Sequence, residues 1–374
     1  VTQIFVVNSG SSSIKYQLVD LETEEAVLSG ILERVGEPGS GIPDHEAGMR
    51  RVLETLGTGH EITAVGHRVV HGGSLFSAAA IVTDEVEAEI AELSALAPLH
   101  NPANLLGIRA ARHALPTVPH VAVFDTAFHQ TLPPAAYTYA IDRELAERHG
   151  VRRYGFHGTS HKYVSQETAR FLGRPLTDLK TIVLHLGNGA SVSAIDGGVS
   201  VETSMGMTPL EGLVMGTRSG DIDAAVLIHL HRQAGLDFDE LDTMLNRQSG
   251  LLGLTGNGDM RDVQEAASRG DEVAEGALAV YRHRIRRYIG AYIAHLGGLD
   301  ALVFTAGVGE NNALLRRRTL AGLEFLGIAV DVDRNELASR KARYISPDGA
   351  PVAVLVIPTN EELEIARQCV AAIA

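Results

Sequence analysis

The chain has 374 residues, more than one hydrophobic core usually serves, and its length therefore predicts two domains. Hydrophobic residues make up 45% and charged residues 21%, a globular composition, and no apolar run approaches the roughly 18 residues of a membrane-spanning helix. The formal charge of −14, from 46 acidic against 32 basic residues, argues against a nucleic-acid surface, so an anionic ligand would be met by a few local cations or a metal.

The opening VTQIFVV enters a strand over residues 4–7 with no basic n-region, so no signal peptide is expected. Asn8-Ser9-Gly10-Ser11-Ser12-Ser13 is a turn, and residues 14–19 return as a strand. Such a hairpin tip exposes backbone N–H groups, and glycine lets an anion approach them; phosphate suits it. Residues 26–34 read as a third strand and 36–43 as an exposed, turn-rich loop. The strand over 62–70 carries His67 and Arg68 and is followed by His71-Gly72-Gly73. An arginine there needs a partner, being either salt-bridged at the strand edge or aimed into a cleft.

Thr83-Asp84 caps a helix to about residue 97, with Val86, Ile90, Leu93 and Leu96 at core spacing. Pro98-Leu99-His100-Asn101-Pro102 reads as a rigid loop before a helix over 103–114. The strand over 118–124 ends at Asp125, where a carboxylate serves a catalytic or metal site or else caps the next turn. Residues 130–150, with Pro133-Pro134, read as the crossing between domains. In RYGFHGTSH, residues 153–161, Thr159 or Ser160 caps a helix to 171. His157 and His161 are four apart but lack a nearby third ligand and the HExxH glutamate, which argues against zinc.

The stretch 181–196, TIVLHLGNGASVSAID, repeats the phosphate-type hairpin with Gly187-Asn188-Gly189 at its tip. Two such hairpins half a chain apart point to a duplicated domain with a cleft between the copies. Residues 206–223 are glycine-rich, hold Arg218, and are expected to line a site. Helices over 224–234 and 238–248 and a loop over 253–259 precede a long helix, about 271–296. Its stripe of Leu278, Tyr281, Ile285, Tyr288, Tyr292 and Leu296 reads as core or a dimer face. The strand over 301–305 runs into Ala306-Gly307-Val308-Gly309-Glu310-Asn311 and then a helix, a nucleotide-contact geometry without the last glycine of GxGxxG. A strand over 352–357 is last, and PTNEE at 358–362 caps an apolar helix in which Cys369 is core. A single cysteine excludes an internal disulfide and fits a reducing compartment. None of the four lysines follows a glycine, so there is no Walker A loop, and GxSxG, HRD and DFG signatures are missing.

VVNSGSSSIKY, GHRVVHGG, PLHNP, FDTAFH, RYGFHGTSH, LHLGNGAS, TPLEGLVMGTRSGD, FTAGVGEN and PTNEEL occur in this order over residues 6–363. By these motifs the chain resembles the acetate kinase family of the actin-like ATPase superfamily. The resemblance implies an α/β fold of two domains with duplicated actin-like ATPase (ribonuclease H-like) topology and a nucleotide cleft between them. The domains would be 1–129, completed by the C-terminal helix 363–374, and 130–362. It further implies reversible in-line transfer of the ATP γ-phosphoryl group to acetate, Mg²⁺ (or Mn²⁺) dependence and a homodimer; the charge and the lack of a long apolar run predict no nucleic-acid or membrane partner, and the single cysteine a cytoplasmic setting.

Carried onto matching positions, the resemblance makes Asp125, His157 and Arg218 catalytic. Arg68, Val70, Leu99, Phe156 and Pro209 would hold the acid; Asn8 and Glu361 would hold the metal. Nucleotide contacts would come from Lys15, from His185, Leu186, Gly187, Asn188 and Gly189, from Asp259, Met260 and Arg261, and from Gly307, Val308, Gly309, Glu310 and Asn311. Guanidinium forks suit a carboxylate and the equatorial phosphoryl oxygens, and acetate, ionised at neutral pH, needs no general base. The sequence departs from the family in a short loop between Ile31 and Arg50 and in Met260, where an aromatic residue is common. The rivals are a propionate kinase of the same family and an actin-like ATPase without a small-acid acceptor. The latter leaves Arg68, His157 and Arg218 with no acceptor to serve.

Overall fold

The computed structural model describes residues 2–57 and 59–374. It divides into two compact units, one of residues 1–130, 156–163 and 360–374, the other of residues 131–155 and 164–359.

The sheet of the first unit comprises β1 (Gln3–Ser9), β2 (Ser13–Asp20), β3 (Glu25–Glu33), β4 (Ile62–Val69), β5 (Ala80–Ile81) and β6 (His120–Phe124), in the order β3-β2-β1-β4-β6-β5. The first three strands form an antiparallel meander; β1–β4 and β4–β6 are parallel, and β5 closes the edge antiparallel to β6. Strand periodicity sends alternate residues of β1 to opposite faces. Phe5 and Val7 pack with Met49, Val52 and Ala111 from the helices His45–Leu56 and Asn101–Ala114. Ile4 and Val6 pack with Leu363, Ile365, Ala366 and Cys369 from the last helix, Glu361–Ile373. Both faces are covered, which explains the unbroken apolar run IFVV. Burial in this layer pushes the Cys369 thiol up to about 12, so it behaves as core.

The second unit carries β7 (Lys180–Leu186), β8 (Ala190–Asp196), β9 (Val199–Thr203), β10 (Ala301–Thr305), β11 (Arg343–Tyr344) and β12 (Ala353–Val356), in the order β11-β12-β10-β7-β8-β9. Its pairing matches the first sheet strand for strand: a β7-β8-β9 antiparallel meander, parallel β7–β10 and β10–β12, and an antiparallel edge strand. The duplication suggested by the two hairpins is therefore a duplication of whole sheets. The helix Glu272–Leu296 starts at Asp271, whose carboxylate accepts the Val273 and Ala274 N–H groups, and ends at left-handed Gly297. It buries Leu278, Tyr281, Ile285, Tyr292 and Leu296, with Tyr288 half-buried.

Several boundaries differ from those expected. Asn101 and Pro102 belong to the helix Asn101–Ala114, since proline has no N–H to lose in a first turn. Thr159 and Ser160 lie inside the helix Gly158–Leu172 and do not cap it. Residues expected as loop after 253 are helical to Thr255, in Gly250–Thr255. AGVGEN is not a turn before a helix; it is itself the helix Ala306–Asn311.

Candidate active site

In the first unit, period-2 alternation sets one row of functional side chains. Asn8 continues the face of Ile4 and Val6, Lys15 pairs with Asn8 across β1–β2, and Arg68 shares the face of Ala64. All lie on the side covered by the last helix, whose first residues are Glu361 and Glu362. Together these side chains line a cavity of about 30 Å³. Lys15 pairs with Glu362. Glu361 Oε1 is buried without a hydrogen-bond partner, and burial pushes its carboxyl up, opposed by Arg68 and Lys15. An orphaned carboxylate oxygen beside an amide is a donor set that fits a hard divalent cation. Among the described residues no three His, Cys, Asp or Glu side chains cluster as a metal cage, so such a cation would keep most of its waters.

Arg68 meets Asp125 through a two-pronged contact, Nε to Oδ1 at 3.0 Å and Nη2 to Oδ2 at 2.6 Å. Asp125 is 1% exposed, and its attraction strengthens the hold of Arg68 on its proton. Its backbone adds two ties: its N–H donates to Val69 O at 3.0 Å, and its carbonyl accepts the Gly158 N–H at 2.9 Å. A Cβ at residue 158 would stand 2.3 Å from that carbonyl, so only glycine fits. His157, one residue earlier, has a φ of +55°, in the left-handed region that costs a non-glycine residue about 1 kcal/mol. Asp125 thus fixes Arg68 by its side chain and the backbone beside His157 by its carbonyl.

Phe156 is buried; its ring meets His71 edge-on at 5.3 Å, and its carbonyl accepts from His129 Nε2 at 3.0 Å. Burial pushes His129 down to about 4, so its ring is neutral. Val70 is buried, with its N–H on Asn104 Oδ1 at 3.0 Å, whereas Leu99 is 48% exposed.

The second unit holds Arg218 and Pro209. Residues 206–223 form no helix or strand, and the Arg218 guanidinium donates to Pro209 O at 2.9 Å, with Met215 Sδ at 3.7 Å. Desolvation lowers its pKa, and among the described residues no carboxylate pairs with it. The loop is braced by residues to which the sequence assigned no site role. Arg153 donates to Glu211 Oε1 at 2.7 Å and to the Ser204 and Met205 carbonyls, Tyr139 donates to Glu211, and Asp221 accepts from Gly212 N–H and Tyr288.

A cavity of about 820 Å³ opens in the same unit. Gly187 and Asn188 of the β7–β8 tip, Asp259, Met260 and Arg261 at the start of the helix Met260–Ser268, and Gly307, Val308 and Asn311 all line it. His185 and Leu186 in β7, Gly309 and Glu310 in the helix Ala306–Asn311, and Gly189 of the tip stand outside the lining. Gly216 donates to Asn188 O at 3.1 Å, and a Cβ there would lie 2.1 Å from Asn188 Oδ1; the 206–223 loop packs directly on the tip. Glu310 accepts from the Ala306 and Thr359 N–H groups at 2.8 and 3.0 Å. Arg261 forks onto Asp259, and its side-chain and backbone hydrogen bonds hold that carboxyl at about 2. Sequence reasoning missed Gln264, Asn312 and Leu314 in the wall, and read Tyr281 as core or dimer face although it also borders the cavity. A helical stripe shows which residues are inward, not which cavity they border.

Two copies of one mixed sheet, the second with backbone amides at a hairpin tip beside a nucleotide-sized cavity, define a protein of the actin-like ATPase fold. The chain belongs to the acetokinase family, whose family model matches residues 3–367. The acetate kinase of Clavibacter michiganensis subsp. michiganensis is 64% identical, with 99% of each chain covered. Among solved structures, the acetate kinase of Porphyromonas gingivalis has a TM-score of 0.96 at 41% identity, covering 100% of both chains. A propionate kinase from Francisella tularensis subsp. tularensis follows at 0.92 and 40%, covering 98% of this chain and 99% of its own.

Proposed function

We propose that this chain transfers the γ-phosphoryl group of ATP to acetate, giving acetyl phosphate and ADP, and catalyses the reverse reaction. The observation that carries the reading is Arg218, a largely desolvated guanidinium with a carbonyl and a thioether for neighbours and no counter-ion among the described residues. A cation held this way is suited to an anion that arrives and leaves. Its binding brings the charge compensation that the protein itself withholds.

The first unit serves the acid and the metal. Arg68, locked by Asp125, presents its remaining N–H groups to the carboxylate, and Val70 and Phe156 offer apolar surface to the methyl end, with Leu99 as an outlying contributor. Asp125 is a positioning residue: its two oxygens are spent on Arg68. His157 donates to the transferred phosphoryl oxygens in a loose, in-line transition state, where the work is orientation and charge neutralisation. Asn8 and Glu361 hold Mg²⁺, or Mn²⁺ in its place, with Lys15 beside them. When bound, the cation neutralises phosphate charge. The second unit serves the nucleotide, with phosphates on the amides of Gly187 to Gly189 and the base along Met260. The unit of residues 1–130, 156–163 and 360–374 corresponds on this reading to the acid-binding domain, and that of residues 131–155 and 164–359 to the nucleotide-binding domain. A reducing cytoplasmic setting accords with the buried, unpaired Cys369. No helix among the described residues is long and apolar enough to cross a membrane.

The test is Mg²⁺-dependent ADP release with acetate, propionate and butyrate, for the wild type and Arg218→Ala. Acetate-dependent turnover that falls at least about a hundredfold in the variant is expected. Acetate-independent hydrolysis, equal in both proteins, would instead mark an ATPase with no acid acceptor. A higher kcat/KM for propionate than for acetate would assign the family's other substrate.

A further inference from the structure

The wall of the large cavity carries a hydrogen-bond chain whose direction is set by a helix cap. Asn312 is the N-cap of the helix Ala313–Leu320, and its Oδ1 accepts the Leu315 N–H at 3.0 Å. Its Nδ2 is then the end that faces Gln264, 2.5 Å from Oε1. An amide has one accepting end and one donating end, so the cap of one helix orients the amide on another. Gln264 must accept from Asn312, and its Nε2 becomes the outward end.

Gln264 is half-buried and borders the cavity, on the helix Met260–Ser268, one turn beyond Met260 and on the same face. Among the described residues no protein acceptor takes its Nε2. Leu251, Met260, Tyr281 and Leu314 give the cavity apolar surface for a flat ring, while the Gly187–Asn188 tip offers amides to phosphate. An amide donor pair standing beside Met260 is therefore placed for the ring rather than for the phosphates.

We propose that Gln264, held by Asn312, is the residue that reads the nucleobase, its Nε2 donating to a ring nitrogen of a purine. The inference rests on the reading of this cavity as the nucleotide site. Adenine offers acceptors at N1, N3 and N7, and a donor group fixed from behind rewards a base that supplies one. The cap gives the arrangement its rigidity: turning the Gln264 amide over would set two donors against each other.

The orientation can be reversed without removing the cap. Asn312→Asp keeps an oxygen for the Leu315 N–H and is as good an N-cap, but it has no N–H for Gln264. The Gln264 amide then turns to donate to the new carboxylate and shows Oε1 to the base. Gln264→Leu removes the amide, and Gln264→Ala serves where the leucine variant does not fold. Steady-state kinetics at saturating acetate compare MgATP with base-free ribose 5′-triphosphate, after melting curves confirm folding. The ratio of kcat/KM for MgATP over ribose 5′-triphosphate is expected to fall about tenfold in both variants, equivalent to one lost hydrogen bond. A ratio unchanged from wild type, with both substrates losing equally or neither losing, would overturn base reading by Gln264. Calorimetry of wild type with MgADP separates the two levels. A wild type that binds no nucleotide, or a Gly307→Val variant that binds it undiminished, would remove the nucleotide assignment of the cavity and this inference with it.

Discussion

At the scale of single residues, Arg68 could be described from the sequence as salt-bridged or as aimed at a ligand, and it is salt-bridged in a way that leaves part of its fork to serve. Its neighbour in space, Asp125, was legible as a carboxylate at a strand end; that both its oxygens would be spent on Arg68 was not, because the pairing depends on β4 and β6 lying side by side. His129 received no role from the sequence, yet it holds the Phe156 carbonyl from within the core. Its pKa is about 6.5 when unfolded and about 4 when folded, so between these values the unfolded chain binds a proton that the native chain refuses. Stability at neutral pH is unaffected and falls as the pH drops below 6.5, by about 3 kcal/mol near pH 4. The depressed His67 and His120 add in the same direction. Urea titrations at pH 7.5 and pH 4.5 should show the loss, and His129→Gln, which keeps a donor for Phe156, should reduce it. Identical pH slopes for the two proteins would mean that other groups carry the acid sensitivity.

At the scale of elements, strand periodicity and local caps such as Thr83 and Asp271 were dependable signals, and helix starts set by remote contacts were the weak one. A period of two needs only the local alternation of burial, whereas a start such as Gly158 is fixed by a remote carbonyl that no local pattern reveals. The helix Ala306–Asn311 makes the point most fully. Six residues are too few to be helical unaided, and Ala306 enters with a φ of +64°. Glu310 holds its first N–H, and Arg316, 1% exposed, holds the Gly309 and Glu310 carbonyls at 2.9 and 2.8 Å while bonding Asn335 at 2.8 Å. Arg316→Met should therefore leave several buried acceptors without donors and cost about 3 kcal/mol, read as a lower urea midpoint. MgADP affinity should weaken with it, since Gly307, Val308 and Asn311 border the cavity. Unchanged stability in that variant would show the helix to be held by its packing instead.

At the scale of the whole molecule, the helix Ala225–Ala234 buries none of its residues, although Val226 and Ile228 are 40% and 53% exposed and Ile222 and Phe238 nearby are 43% and 80% exposed. An apolar helix of this kind is suited to burial against a second copy of the chain, as in the homodimer that the family resemblance implies. Sedimentation velocity should find a dimer at assay concentrations, and Ile228→Glu should shift it toward monomer while the monomer stays folded. A wild type that sediments as monomer would exclude this pairing.

Two hairpins with Gly-Asn-Gly and Ser-Gly-Ser tips, the apolar run of each central strand and a chain of family motifs already determined a duplicated α/β fold, its phosphate-ready turns and most of the chemistry-bearing side chains. These follow from local rules: glycine for close approach, alternation for burial, arginine for anions. Tertiary structure alone decided which of those side chains are spent on each other and which remain for a ligand. Asp125 is committed to Arg68 and Glu310 to backbone amides, while among the described residues Arg218 keeps no counter-ion and Gln264 keeps its donors. The difference arises because a partner in space is set by strand order and helix packing, and neither is written in the spacing of any single segment.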